Sequence, residues 1–255
     1  MVAADSSSSI IQYLVSQTDF VMKVIHFIST LDINILSNES QMKTMKLLLA
    51  LLIFMANSTS TAMSFLQMNI IPAINNSILM SNIKEDQHAM IVNQLSEEQK
   101  NSLRSLLSLF LQLLIVLDKS VQSIRNIHIE LISFVVTLLP LLSFIFKCDF
   151  RNYTPESQLQ LELLSYFIGL LVIVANSPQR FIQAMNGQEN TLNSEIISLF
   201  STISEESLCN PIKRHIINKE KELSPYTIII ENSMVFMSKM NWKIGDIYLK
   251  AFGVK

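Results

Sequence analysis

The sequence predicts an all-α fold, an irregular HEAT/armadillo-like α-solenoid of stacked helix pairs, and three observations carry that expectation. Only four of the 255 residues are glycine, where average usage of about 7% would supply roughly 18. So few glycines cannot furnish the tight turns, hairpins and phosphate-cradling loops of most α/β and all-β domains. Hydroxyl–proline pairs punctuate the chain as helix starts. Leu and Ile together fill 68 positions, and many segments are apolar around more than one helical face, as buried helices are.

The helix starts can be read directly. Thr154-Pro155-Glu156, Ser177-Pro178-Gln179 and Ser224-Pro225 each place a hydroxyl one residue before a proline. The hydroxyl can accept from an orphan backbone N–H, and proline at the first helical position gives up an N–H that has no helical partner there. Ser96-Glu97-Glu98-Gln99 reads as a capping box with carboxylates in the first turn, where the helix dipole favours them. Apolar spacing then predicts helices over 7–17, 19–36, 40–57, 60–80, 85–93, 97–117, 120–146 and 155–176. Shorter helices are expected over 178–186, 190–201, 205–218, 225–240 and 242–251. Pro140 lacks an N–H and crowds the preceding turn, so it should kink or divide its helix. Residues 227–230 are β-branched, yet the capped start and the spacing of Ile228, Ile229, Met234, Val235, Phe236 and Met237 favour a helix.

Residues 1–6 are expected to be disordered, and 7–255 to form one continuous helical domain. The polar break at 147–153 marks a candidate sub-boundary. The proline-marked starts lie 23 and 47 residues apart, which fits half and whole repeats of about 40–47 residues. No repeating sequence signature accompanies them. Gly169 sits inside the apolar helix 155–176, where the missing side chain would let a neighbouring helix approach closely.

Composition excludes several function classes. Nineteen basic and 21 acidic residues give a net charge of −2, so no global field recruits nucleic acid. Aromatic residues interleaved with bases, the mark of single-strand binding, do not occur. Cys148 and Cys209 have no metal or redox spacing and read as thiols of a reducing compartment. The four sequons, at Asn38, Asn57, Asn75 and Asn152, compare with roughly three that the Asn, Ser and Thr content yields by chance, and are no evidence for secretion. The N-terminus lacks the basic region of a signal peptide.

No phosphate-loop, dinucleotide, nucleophile-elbow or H-E-x-x-H motif occurs. His26, His88, His128 and His215 are far apart. His128 and Glu130 stand at i, i+2 and do not share a helical face. His26, among Val24, Ile25, Phe27 and Ile28, reads as a partly buried packing residue. Glu97-Glu98, Glu205-Glu206 and Glu85-Asp86 lie at helix starts, which explains them without catalysis. No catalytic residue, cofactor, metal site or small-molecule substrate is expected, and the chain is read as a non-enzyme.

Methionine makes adaptable surfaces, but core packing accounts for most of the 13 methionines. The best candidate for a partner-facing strip is Met234, Met237 and Met240 at i, i+3, i+6, followed by Trp242. The apolar runs support one alternative, a small multi-pass membrane protein such as a transporter or assembly factor. The longest, 47–83, is interrupted by polar residues, and 105–117, 131–146 and 163–179 fall short of the ~20 residues a spanning helix needs.

The run Leu223-Ser-Pro-Tyr-Thr-Ile-Ile-Ile-Glu-Asn-Ser-Met-Val-Phe-Met-Ser-Lys-Met240 resembles the late helices of the very large inner-ring scaffold nucleoporins. The blocks 106–117 and 163–175, joined by short polar loops, are similar to the C-terminal tails of that family. The likeness covers most of the chain and lies in texture, without a diagnostic motif. It implies a HEAT/armadillo-like solenoid acting as a structural scaffold of the nuclear pore. Other pore proteins would be its partners, its location the nuclear envelope and its process nucleocytoplasmic transport. Because such proteins are much longer, it also implies a tail fragment.

Overall fold

A computed structural model describes residues 19–84, 92–148, 154–204 and 225–242. The chain is all-α: 83% of the described residues are helical and none of them forms a strand. It divides into two compact units, 1–137 and 138–255. The expected disordered residues 1–6, the helices 7–17 and 205–218, and positions 149–153 of the polar break lie outside the described residues. So do almost all of helix 85–93 and the last helix beyond Trp242.

In the first unit the long predicted segments are cut where side chains compete for backbone groups. Segment 19–36 becomes α1 (Phe20–Ser29) and a 3₁₀ turn (Ile33–Ser37). Asp32 separates them, its carboxylate accepting from the Asn34 N–H at 2.9 Å. Asn38 then caps α2 (Glu39–Ala56), its side-chain oxygen accepting from the Gln41 N–H at 3.0 Å.

Segment 60–80, expected as one helix, forms three: α3 (Thr59–Gln67), α4 (Ile70–Asn75) and α5 (Ile78–Lys84). Asn69 ends α3 in the left-handed region at φ 60°. Ser77 makes the next switch: its hydroxyl donates to the Ile74 carbonyl at 2.9 Å and accepts from the Met80 N–H at 3.3 Å. The Leu79 N–H, an orphan at the start of α5, donates to the Leu31 carbonyl at 2.7 Å.

The capping box predicted at Ser96 opens α6 (Glu97–Val121). The Gln99 N–H donates to the Ser96 hydroxyl at 3.2 Å, and the Ser96 N–H to the Gln99 side chain at 2.8 Å. α6 is the axis of this unit, packed against α2, α3 and the 3₁₀ turn, while α1 packs against α4. From Gln99 to Asp118 no residue of α6 is more than partly exposed. The helix is apolar on most sides because protein covers those sides. α7 (His128–Leu138) follows a turn at 122–127, and the chain divides between the units in its last turn. The predicted break at Pro140 is present. A 3₁₀ turn (Leu139–Leu141) containing Pro140 separates α7 from α8 (Leu142–Ile145).

In the second unit, Thr154 and Ser157 form a capping box at α9 (Pro155–Val174), with contacts of 3.1 and 2.8 Å and Pro155 at the first helical position. α10 (Pro178–Met185) starts at Pro178 as expected, although the Ser177 side chain makes no capping bond. α11 (Glu189–Ser204) and α12 (Pro225–Lys239) follow. α12 packs along α9, and α8 packs against α9 and α11. Lys239 Nζ donates to the Val172 carbonyl at 3.1 Å and to Asn176 Oδ1 at 2.6 Å, placing a cation at the C-terminus of α9 where the dipole favours one.

Scarce glycine leaves the left-handed turns to asparagine. Among the described residues the non-glycine positions of positive φ are Asn69, Asn186 and Asn241, and Gly187 at φ 91° completes the exit from α10. Asparagine tolerates that region better than any branched side chain. Asn69→Gly is expected to leave the urea midpoint unchanged or slightly raised. Asn69→Val should lower stability by about 1–2 kcal/mol in the same titration.

Candidate partner-binding surface

The methionine row picked out in the sequence belongs to the interior. Met237 and Met240 are 0% and 5% exposed, and Met234 is partly buried. Trp242 packs edge-on against Phe236 at 5.4 Å, and Phe236 against Phe181 at 6.3 Å. The reason is the packing of α12 along α9, which takes up the apolar i, i+3 row. The exposed side of α12 carries Glu231, Val235, Ser238 and Lys239 instead. Met234, Met237, Met240 and Trp242 therefore form no exposed strip. In the first third of the chain Met42, Met45, Met55 and Met80 are likewise buried.

An exposed apolar row lies on α2. Leu47, Leu51 and Phe54 are 72%, 36% and 62% exposed. Their i, i+4, i+7 spacing aligns them on one face, with the exposed Ala50 beside them. The opposite face, Met42, Met45, Leu49, Leu52 and Met55, is buried, and α2 packs against α6 and α3. Ten consecutive residues from Leu47 to Ala56 are apolar. Such a run covers every face of a helix, so one apolar face is left over unless neighbours surround it. That run was the available signal for this surface, and the sequence alone could not say which face stays open.

At the N-terminal end of the row the surface becomes polar. Lys43, one turn before Leu47, pairs with Glu39 at 2.7 Å, and this partner holds the Glu39 carboxyl below the usual range. A cleft of about 860 Å³ opens there between the starts of α2 and α6. Lys46, Glu98, Ser37 and Gln99 line it above the apolar floor of Leu36 and Met42. Gln99 Nε2 donates to Ser37 Oγ across it at 2.7 Å. Both helix starts are already capped, and two lysines face two glutamates, so the lining has no net charge.

Among the described residues the histidines do not converge. His26 is exposed on α1, not partly buried as its apolar neighbours suggested, because it falls on the face opposite Val21, Val24, Ile25 and Ile28. His88 and His215 lie outside the described residues. Among the described residues no cluster of three metal-ligating side chains occurs. No family model, curated protein or solved structure matches the chain.

His128 has a carboxylate partner that sequence spacing did not reveal. It is Asp118, one helix earlier, 3.7 Å away from Nε2 to Oδ1; Glu130 pairs with Arg125 at 3.0 Å instead. Asp118 is 7% exposed, and its Oδ1 and His128 Nδ1 have no hydrogen-bond partner among the described residues. Burial pushes the Asp118 carboxyl up, and His128 offsets this only in part. A raised folded-state value means that Asp118 contributes stability below its unfolded value and loses that contribution as pH rises through the folded one. Asp118→Asn is therefore expected to stabilise the protein near pH 7, with the gain fading as the pH falls into the acid range. Urea titrations across that interval measure it. A gain that does not change with pH would contradict the burial argument.

Proposed function

We propose that this chain is a non-enzymatic structural scaffold that binds protein partners through a helical solenoid of stacked pairs. The observation that carries the reading is the Leu47–Leu51–Phe54 row, an apolar face left open on a helix whose other face is fully packed. Exposed apolar rows on a helix are the usual docking form of helical protein–protein contacts. The pairing of α2 with α6 and of α9 with α12 supports the helix-pair arrangement. The similarity of 106–117, 163–175 and 223–240 to the tails of inner-ring scaffold nucleoporins supports a place at the nuclear pore. Other pore proteins would be the partners and nucleocytoplasmic transport the process served.

A second reading has its own observation. Among the described residues three helical stretches, Glu97–Val121, His128–Ile145 and Pro155–Val174, are long and apolar enough to cross a membrane. Against it, the stretches 99–118 of α6 and 159–174 of α9 carry no residue that is more than partly exposed, whereas a spanning helix turns a wide apolar face to lipid. α6 also holds the buried Arg104 and Asp118, which lipid disfavours.

Carbonate extraction of cell membranes combined with affinity purification separates the readings. The scaffold is expected in the supernatant with nuclear-pore proteins among its specific partners. Retention in the carbonate pellet overturns it. Release together with a partner set lacking pore proteins overturns the pore assignment alone.

A further inference from the structure

We propose that Asn186 is a site of spontaneous covalent modification, at which the Gly187 nitrogen closes on the Asn186 side chain and leaves aspartate and isoaspartate in the turn between α10 and α11. Sequence and surroundings together single out this asparagine.

Of the 19 asparagines, Asn186 alone precedes a glycine. A side chain on the following residue shields that residue's backbone nitrogen, whereas glycine leaves it open to close approach. Asn69 and Asn241 share the left-handed conformation of Asn186, but they precede Ile70 and Trp242. Asn186, Gly187 and Gln188 are exposed, and a methyl group at Gly187 would meet no atom within 4 Å. Neither the Asn186 amide nor the Gly187 N–H has a hydrogen-bond partner among the described residues. Asn38 and Asn57 are exposed too, yet their side chains are held. Asn38 Oδ1 accepts from the Gln41 N–H and Asn57 Nδ2 donates to the Ile53 carbonyl, each at 3.0 Å. Ring closure requires ψ of Asn186 to swing away from 46°. The bond across the turn, from the Gln188 N–H to the Met185 carbonyl at 3.1 Å, has to open for this, and opening at an exposed helix end costs little.

The step balances with water alone. The Gly187 nitrogen gives its proton to solvent and attacks Asn186 Cγ. The new N–C bond closes a succinimide ring, and Nδ2 takes up a proton and departs as ammonia. Water then opens one of the two ring carbonyls. Breaking the bond from nitrogen to Cγ leaves aspartate in an unaltered backbone. Breaking the bond from nitrogen to the main-chain carbonyl carbon of residue 186 leaves isoaspartate, whose backbone runs through Cβ and Cγ and is one carbon longer. Either product puts a carboxylate at the C-terminus of α10, where the dipole disfavours an anion. The connection between α10 and α11 is only residues 186–188, so an added backbone carbon strains the helices on both sides. α10 holds Phe181 and Met185 in the interior, with Phe181 edge-on to Phe236 of α12 at 6.3 Å. Modification of the turn therefore loosens α10 against α12.

The test stores the folded full chain at neutral pH and follows its peptides by mass spectrometry. The Asn186 peptide is expected to gain about 1 Da, at least about tenfold faster than the Asn69 and Asn241 peptides. A protein isoaspartyl methyltransferase with labelled S-adenosylmethionine should transfer methyl groups to the same peptide. Asn186→Gly keeps the left-handed turn and should lose that label. Its urea midpoint should hold on storage, whereas that of the unaltered chain falls. Modification of Asn186 no faster than that of Asn69 and Asn241 would overturn the proposal, as would methyl transfer undiminished in Asn186→Gly. So would a mass gain confined to the urea-unfolded chain, since the folded turn would then protect the residue. A modified chain that keeps its urea midpoint overturns the loosening of α10.

Discussion

Alanine in place of Phe110 is expected to destabilise the first unit by about 3–5 kcal/mol, the range for emptying a fully buried aromatic site. Phe110 is completely buried near the middle of α6, the helix that α2, α3 and the 3₁₀ turn all pack against. The ring cannot be replaced from either neighbouring turn, because Leu106, Leu107, Leu113 and Leu114 are buried in their own positions. Urea unfolding, with hydrogen exchange read at the α6 amides, should show the loss in the first unit. The size of the effect also bears on the environment of α6. A phenylalanine facing lipid would leave a space that acyl chains fill, and its removal would cost little. A change below about 1 kcal/mol would count against the packed first unit and in favour of the membrane reading.

Asn75→Ala is expected to cost about 1–3 kcal/mol, because it strips the polar link between α4 and α7. Asn75 is buried; its Nδ2 donates to Ser133 Oγ at 3.0 Å, and its Oδ1 accepts from Thr137 Oγ1 at 2.8 Å. The partners are affected unequally. Ser133 is exposed and can turn to water, whereas Thr137 is buried and must fall back on the Ser133 carbonyl at 3.0 Å. Asn75→Ala/Thr137→Val removes both ends of the link and should cost less than the sum of the single changes. Strict additivity in urea titrations would mean that the link does not couple the helices. The same burial bears on the sequon at Asn75: a glycan cannot be attached to a side chain enclosed in this way without opening the first unit.

Glycine scarcity, capping hydroxyls and proline positions announced an all-helical chain, and the helix starts at Ser96, Thr154 and Ser177 stand within a residue of their expected places. Those features were legible because a cap is a local contract, settled by hydrogen bonds over three or four residues. Asn69 and Ser77 show the limit. Each is an ordinary polar residue inside an apolar helical pattern, and only the packing of α3, α4 and α5 turns it into a break. Asp118 and His128 are a second case, ten residues apart on different helices and paired only by the return of the chain.

The surface shows the division most clearly. By itself the sequence determined that the described residues would be helical, where several helices begin, and that asparagine, serine and proline would make turns that glycine makes elsewhere. It could not determine which apolar rows are covered. Met237 on α12 with Met240 just past its end, and Leu47 and Phe54 on α2, are equally apolar and equally well spaced, yet the first pair is interior and the second is open. Helical spacing specifies only that side chains share a face. Whether another helix lies against that face depends on contacts distant in sequence: α9 covers the α12 row, whereas Leu47 and Phe54 remain exposed.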